Sequence, residues 1–125
     1  MSFSTVWHDY NIQRTRRYDL VPKLLAVARP FLHDTKEKEI SRLVETAERA
    51  KKMQEFGFAL IGEQFEEEKN LGKELRSFLT NCHHHHALLL KNSYRDIEND
   101  LLDAEAHIHA HQGLIIGHHR KKERL

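Results

Sequence analysis

Two arginines interrupt what is otherwise an apolar helix face at the start of the chain. Aromatic and aliphatic residues recur there with the period of an α-helix, at Phe3, Trp7, Tyr10, Val21, Leu24, Ala28 and Phe31. Arg14 and Arg17 fall on the same face. A buried guanidinium without an anionic partner costs several kcal/mol, so both arginines need carboxylates. Asp9, Asp19 and acids on facing helices are the candidates.

The rest of the chain also has a helical character. Leucine is common, valine is rare, and no strand-like alternation is bounded by turn residues. Caps and breakers divide the chain into four predicted helices. Their expected limits are Ser2 or Ser4 to Pro30, Asp34 or Thr35 to about Glu67 with a bend at Gly57, Asn70 to a turn within 81–92, and Ser93 onwards.

Long helices with short connections are typical of an antiparallel four-helix bundle, so we predict an all-α fold in one domain, 1–125. Pro22 lies inside the first helix, where it removes a backbone donor. We expect a kink near Pro22, or a restart of the helix with Asp19 as its cap. The basic residues 117–125 form a tail that is expected to fray.

The charge balance and the cysteine count narrow the function classes. With 20 basic and 19 acidic residues, the chain lacks the basic excess of a dedicated nucleic-acid binder. The only cysteine, Cys82, excludes an intramolecular disulfide and favours a reducing compartment. The longest uncharged apolar run, 56–62, is too short to span a bilayer, and without a basic-then-apolar segment at the start we expect no leader. We expect a cytoplasmic protein without a transmembrane segment, and a solvated helix face for the acidic run 66–68.

Eleven histidines are the residues that most suggest a chemical role. His107 and His111 are one helical turn apart, so both rings can reach one ion, and His118 lies two turns further along the same side. Imidazole is a good ligand for Zn, Ni or Cu. The alternative is a solvated helix face, because a histidine pair without a surrounding metalloprotease motif is weak support for a metal site.

Motifs for catalysis are absent from the sequence. The chain has no glycine-rich phosphate loop, no Ser-His-Asp order and no paired Glu-x-x-His pattern. Cys82 precedes His83, but consecutive residues of a helix point about 100° apart. A lone cysteine near Phe78 and Leu79 is more often a small core residue. We expect no enzyme activity and no bound cofactor.

Two ungapped stretches of the chain match the pattern of a known family. The first contains Trp7, Asp9, Gln13, the run Arg16-Arg17-Tyr18-Asp19-Leu20-Val21-Pro22, and Leu24. The second covers 71–108 and is carried by Leu75, Phe78, Leu79, Tyr94, Ile97, Leu101, Glu105 and Ile108. Together they resemble the bacterial LemA family, and the resemblance implies that family's helical fold and work at or near the inner membrane. The family usually carries a membrane helix ahead of this segment, so this chain is expected to be a soluble version or a truncation.

The signature run from Arg16 to Asp19 has two interpretations. It ties the first helix to acids of the last helix, such as Asp100 or Glu105, through charge-assisted hydrogen bonds. Alternatively, it forms an anion- or partner-binding groove beside Pro22. The structural role is favoured, because ion pairs commonly set the pairing of helices.

These patterns together predict a non-catalytic scaffold or adaptor that offers helical faces to a protein partner. A histidine-rich, metal-binding or metal-responsive protein is the alternative. It requires His107, His111 and a third ligand to converge in the folded state. Homo-oligomers and peripheral attachment to a membrane both stay compatible with the sequence.

Overall fold

The computed structural model of the chain describes residues 2–32 and 36–123. Within those ranges the regular structure is entirely helical, which confirms the all-α prediction. The long helices are α1 (Phe3–Ala28), α2 (Glu37–Gln54), α3 (Ile61–Cys82) and α5 (Asn92–Glu123), with a short α4 (His86–Leu89) between the last two. None of the helices, over the ranges described, has the length and apolarity needed to cross a bilayer.

The first helix begins and ends near its predicted limits. The Ser2 side chain caps α1 by accepting the backbone N–H of Thr5, at 3.3 Å from Oγ to N. Pro22 lies within the continuous helix, so no second helix begins at Asp19. A single 3₁₀ turn that contains Pro30 follows α1. The predicted caps of the second helix, at residues 34 and 35, lie outside the described residues.

The predicted long second helix is wrong, because it is divided into α2 and α3. Residues 55–60 form a turn, and α3 begins at Ile61, well before the expected Asn70. The break follows from two backbone positions with positive φ, Gly57 at 60° and Leu60 at 56°, which no right-handed helix accommodates. The Gln64 side chain holds this turn, since its Nε2 donates to the carbonyls of Gly57 (2.8 Å) and Ala59 (2.6 Å).

The C-terminal part follows the prediction more closely. The expected turn within 81–92 contains α4, and α5 begins one residue before the predicted Ser93. The helix α5 continues to Glu123, and the predicted fraying of 117–125 stays a prediction.

The contacts between α1 and α5 are the most extensive between any two helices of the described chain. Phe3, near the start of α1, contacts His118 near the end of α5, with 5.8 Å between ring centroids. Arg16, further along α1, bonds to Asp103, earlier in α5. As the residue number rises along α1, that of the partner on α5 therefore falls. The helix α2 packs against both α1 and α3, whereas α3 and α5 approach each other at few points.

Among the described residues the core consists of two apolar clusters. The larger contains Leu24, Ile40, Leu43, Phe78 and Leu101 among others, all buried. The smaller one consists of Val6, Tyr10, Ile108 and Ile115. Arg14 and Arg17 on α1, and Glu68 on α3, lie between the residues that these helices give to the two clusters. The apolar core is thus divided by a buried charged layer.

Substitutions at the two left-handed residues of the α2–α3 turn should change the free energy of unfolding in opposite directions. Gly57→Ala should lower the free energy of unfolding by about 1 kcal/mol, because a Cβ is strained at positive φ. Leu60→Gly should raise it by about 0.5 kcal/mol, because relief of strain exceeds the entropic cost of glycine at a half-exposed position. Urea denaturation measures both, with Ala59→Gly as the control for glycine entropy alone. Equal effects of Leu60→Gly and Ala59→Gly would contradict the left-handed backbone at Leu60.

Candidate functional site

The charged layer is built around the carboxylate of Glu68. Arg14 Nε donates to Oε2 of Glu68 at 3.2 Å, and Arg17 Nη2 donates to Oε1 at 2.9 Å and to the Glu68 carbonyl at 2.7 Å. The Tyr18 hydroxyl also donates to Oε2 of Glu68. All four side chains are buried, so the network that joins α1 to α3 is shielded from solvent. We call Arg14, Arg17, Tyr18 and Glu68 the arginine layer.

The arginine layer holds more positive than negative charge. Two guanidiniums face one carboxylate, and Nη2 of Arg14 and Nε of Arg17 find no hydrogen-bond partner among the described residues. Burial and the negative charge of Glu68 raise the pKa of the Tyr18 hydroxyl, so the phenol stays protonated and donates its proton to the carboxylate. The layer therefore leaves one buried positive charge without a matching anion.

Glu68 corrects the prediction that the acidic run 66–68 is a solvated face. Only Glu66 of this run is exposed, while Glu67 is half-buried and lies 3.6 Å from Arg49. Successive residues of a helix point in different directions, so three in a row cannot share one face. Glu68 is in phase with Ile61, Leu71 and Leu75 of α3, and this spacing was the signal for its burial.

The signature run contributes to two separate contacts. Arg17 and Tyr18 belong to the arginine layer, whereas Arg16 is half-exposed and bonds to Asp103 (2.7 Å) and Asp100 (3.4 Å) on α5. The link to Asp100 was predicted. The hydrogen bond from Arg16 holds the pKa of Asp103 below its usual range.

Three predicted acidic partners of the arginines are not used. Asp9 and Asp19 form no ion pair within the described part of the chain. Asp19 is exposed and points outward, on the far side of α1 from Arg14. Glu105 is also not a partner of α1. It forms an ion pair with Arg76, which reaches it from α3.

A groove of about 500 Å³ runs between α3 and α5, where the two helices stand apart. We call it the α3–α5 groove. Its lining combines apolar side chains with charged and polar ones, including Phe65, Glu66, Lys69, Lys73, Ile108, His109 and Ile116. The Arg76–Glu105 ion pair marks one end of it, and a smaller cavity of about 310 Å³ continues beyond, lined by Leu79, Thr80, His83, Glu98 and Leu102. This groove was not predicted from the sequence.

Gly72 brings the floor of this groove close to the arginine layer. A Cβ at Gly72 would lie 3.3 Å from Nη1 of Arg17 and 3.5 Å from Oε1 of Glu105. A larger residue here would press on the Arg17 guanidinium. The absence of a side chain at Gly72 therefore lets the buried network lie directly beneath the groove.

A second opening lies beside Pro22, where the partner-groove interpretation placed one. It is a cleft of about 310 Å³ between α1 and α2, lined by residues that include Asp19, Pro22, Val44 and Lys51. Arg16 and Arg17 do not line it, because they point towards α5 and α3.

Trp7 has a structural role at the end of the molecule where α1 begins. Its ring lies 5.4 Å from that of Phe58 and 5.8 Å from that of Tyr10, measured between centroids. Tyr10 accepts a hydrogen bond from Gln112 of α5, and burial raises the pKa of its hydroxyl to about 12. This aromatic cluster therefore joins α1 to the α2–α3 turn and to α5.

The three histidines of the predicted metal site do not converge. The rings of His107 and His111 are close, with 6.3 Å between centroids, but Nδ1 of His111 is bonded to the His107 carbonyl at 2.6 Å. His118 packs instead against Phe3. No group of three or more potential ligands lies together among the described residues. The interpretation thus lacks the third ligand that it required.

Cys82 is a buried core residue, as predicted. Burial raises the pKa of its thiol to about 11, although a hydrogen bond with Tyr94 acts in the opposite direction. Since the thiolate is the reactive form, Cys82 has little nucleophilic character near neutral pH.

Comparison with known proteins returned no relatives: no protein-family model, curated protein or solved structure matches this chain.

Substitutions in the arginine layer should follow its charge balance. Glu68→Gln is expected to lower the free energy of unfolding by about 3–5 kcal/mol, because two buried guanidiniums lose their only anion. Arg17→Ala should cost less, about 2 kcal/mol, since Arg14 still neutralises Glu68. Glu66→Gln and Arg16→Ala are matched controls at exposed or half-exposed positions and should each cost less than about 1 kcal/mol. Chemical denaturation checks the order, and a larger loss for Arg17→Ala than for Glu68→Gln would contradict the excess positive charge.

Zinc should bind weakly through His107 and His111. Two imidazoles fill only half of a tetrahedral coordination shell, so we expect no stoichiometric, sub-micromolar site that depends on them. Calorimetric titration of the wild type and of the His107→Ala/His111→Ala variant measures this directly. Tight binding that the variant abolishes would restore the metal interpretation, whereas weak binding that survives belongs to the other histidines.

Proposed function

We propose that this protein is a non-catalytic, LemA-like scaffold or adaptor that binds a protein partner in the cytoplasm. The observation that carries the proposal is the α3–α5 groove, a long opening whose lining is more apolar than that of an ordinary exposed face. An exposed apolar groove between two helices is a common recognition site for a helical segment of another protein. Leu102 and Ile116 extend the apolar surface, since they are 48% and 40% exposed.

The proposal includes a finer description of the fold as an antiparallel four-helix bundle with a kink in α1 near Pro22. The falling order of α5 partners along α1 supports the antiparallel arrangement. A proline inside α1 supports the kink, because it removes a hydrogen bond of the helix. The arginine layer would give this bundle a rigid interior, against which a partner can bind without rearranging it.

The LemA resemblance supports the same proposal through the roles of the matching residues. Arg17 and Tyr18 belong to the arginine layer, Trp7 to the aromatic cluster, and Leu75 and Ile108 to the buried core. The signature thus corresponds to residues on which the packing of this chain depends. The resemblance suggests work near the inner membrane, which this chain would reach through its partner or its basic tail.

The metal-binding alternative is supported only by the proximity of His107 and His111. A metal site would need a third ligand, whereas a scaffold needs none, so we favour the scaffold function over metal binding.

Site-specific photo-crosslinking in cells should locate the partner-binding surface. We expect a crosslinker in place of Leu102 or Ile116 to capture a discrete protein, and one in place of Ile12, which is 49% exposed on α1 and lines neither opening, to capture none. The captured protein must then bind the purified chain in a two-component assay. A crosslinker at Asp19 tests the cleft beside Pro22. Capture at Asp19 alone would transfer the binding surface to that cleft, and no capture at any position would contradict the adaptor proposal.

A further inference from the structure

The charges around the α3–α5 groove indicate what kind of partner it accepts. We propose that the groove binds an acidic, amphipathic helix of a partner protein, with apolar side chains on the floor and carboxylates beside α3. This inference rests on the proposed function, because it specifies the chemistry of the partner at the same groove.

The floor and the length of the groove suit a helix. Phe65, Ile108 and Ile116 supply apolar contacts, and Gly72 leaves the middle of the floor without a side chain. The groove is lined by residues 65–76 of α3 and 108–116 of α5, and the smaller cavity lies beyond the Arg76–Glu105 ion pair. The α3 segment is ~17 Å long, which corresponds to about three turns of a bound helix.

The rim that α3 gives to the groove carries two lysines and one exposed acid, Glu66. Lys69 and Lys73 are exposed, one turn apart, and neither forms an ion pair within the described part of the chain. Opposite them, α5 presents His109 and Gln112, and the carboxylate of Glu105 is already paired with Arg76. Two lysines are therefore available to anions, although the whole chain carries a formal charge of only +1.

The arginine layer beneath the floor adds to this positive field. The excess positive charge is buried and shared by Arg14 and Arg17. Nη1 of Arg17 would lie 3.3 Å, and Oε1 of Glu105 3.5 Å, from a Cβ at Gly72 on the groove floor. Charges in a low-dielectric interior are screened less than charges in water, so the excess charge acts on an occupant of the groove. The negative charges near the groove are Glu66 on the rim and Glu68 and Glu105 near the floor. The positive charges of the rim and the arginine layer outnumber them, so an acidic helix is favoured over a basic one.

The apolar floor favours a protein helix over other polyanions. A nucleic acid or an anionic membrane would engage the lysines but would leave Phe65, Ile108 and Ile116 without apolar contacts. An amphipathic helix satisfies both features of the groove at once, as in other helix-in-groove complexes.

A designed peptide pair tests the charge preference. The probe is a fluorescein-labelled amphipathic peptide of about 18 residues with leucines at heptad positions a and d and glutamates at e and g. Its counterpart carries lysines in place of the glutamates. Fluorescence anisotropy in ~0.1 M salt should show saturable binding of the acidic peptide, about tenfold or more tighter than that of the basic one. The Lys69→Glu/Lys73→Glu variant should bind the acidic peptide about tenfold or more weakly than the wild type does. It should also bind the basic peptide more tightly than the acidic one.

The matched control is Lys23→Glu/Lys38→Glu, which changes the net charge equally at exposed lysines that line neither opening. It should leave the affinity within about twofold. Circular dichroism confirms that both double variants are folded. Equal affinity of the two peptides, equal effects of the two double variants, or no saturable binding by the folded wild type would each overturn the proposal.

Two further outcomes separate this inference from the adaptor function. A crosslinker at Leu102 or Ile116 can capture a partner in cells with the same yield in the Lys69→Glu/Lys73→Glu variant. That result would support the adaptor function and overturn the proposal of an acidic helix. If sedimentation shows a dimer that Lys69→Glu/Lys73→Glu dissociates, the groove belongs to a second copy of the chain, and the acidic partner helix is again overturned.

Discussion

The carboxylate of Glu68 is the group on which the positions of α1 and α3 depend. It accepts hydrogen bonds from Arg14, Arg17 and Tyr18, which occupy two successive turns of α1. A shift of α3 by one turn would move the Glu68 carboxylate away from both guanidiniums. Buried guanidiniums without an anion are strongly unfavourable, so this register is disfavoured even if apolar contacts are kept. Charged groups therefore determine the register here, and the apolar clusters on either side determine the compactness.

The same interaction explains why a charged layer is retained inside an apolar core. A buried ion pair contributes little to stability compared with well-packed apolar residues, but it discriminates strongly between alternative pairings of helices. In this chain the layer lies between the two apolar clusters and links α1 to α3, so the discrimination is between registers of these two helices. The excess positive charge of the two guanidiniums is a cost, and one of them, Arg17, lies directly beneath Gly72 on the floor of the α3–α5 groove.

The groove is a consequence of how unequal the helix contacts are. α1 packs closely on α5 through Phe3, Tyr10 and Arg16, and α2 packs on α3, while α3 and α5 are bridged mainly by Arg76 and Glu105. A bridge made of two long side chains holds the helices further apart than interdigitating leucines would. This separation exposes part of the apolar lining, and that exposure is the basis of the proposed adaptor function.

The amino-acid sequence alone determined the helical class, a serine cap at the start of α1, the turn before α5, and the burial of Arg17 and Cys82. These features depend on local capping and on helical periodicity, which are properties of short segments. Only the tertiary structure revealed the break at Gly57 and Leu60, the choice of Glu68 over Asp9 and Asp19 as the buried anion, and the groove. A run of good helix formers conceals a left-handed turn, and the distance between two helices depends on side chains that are remote in sequence.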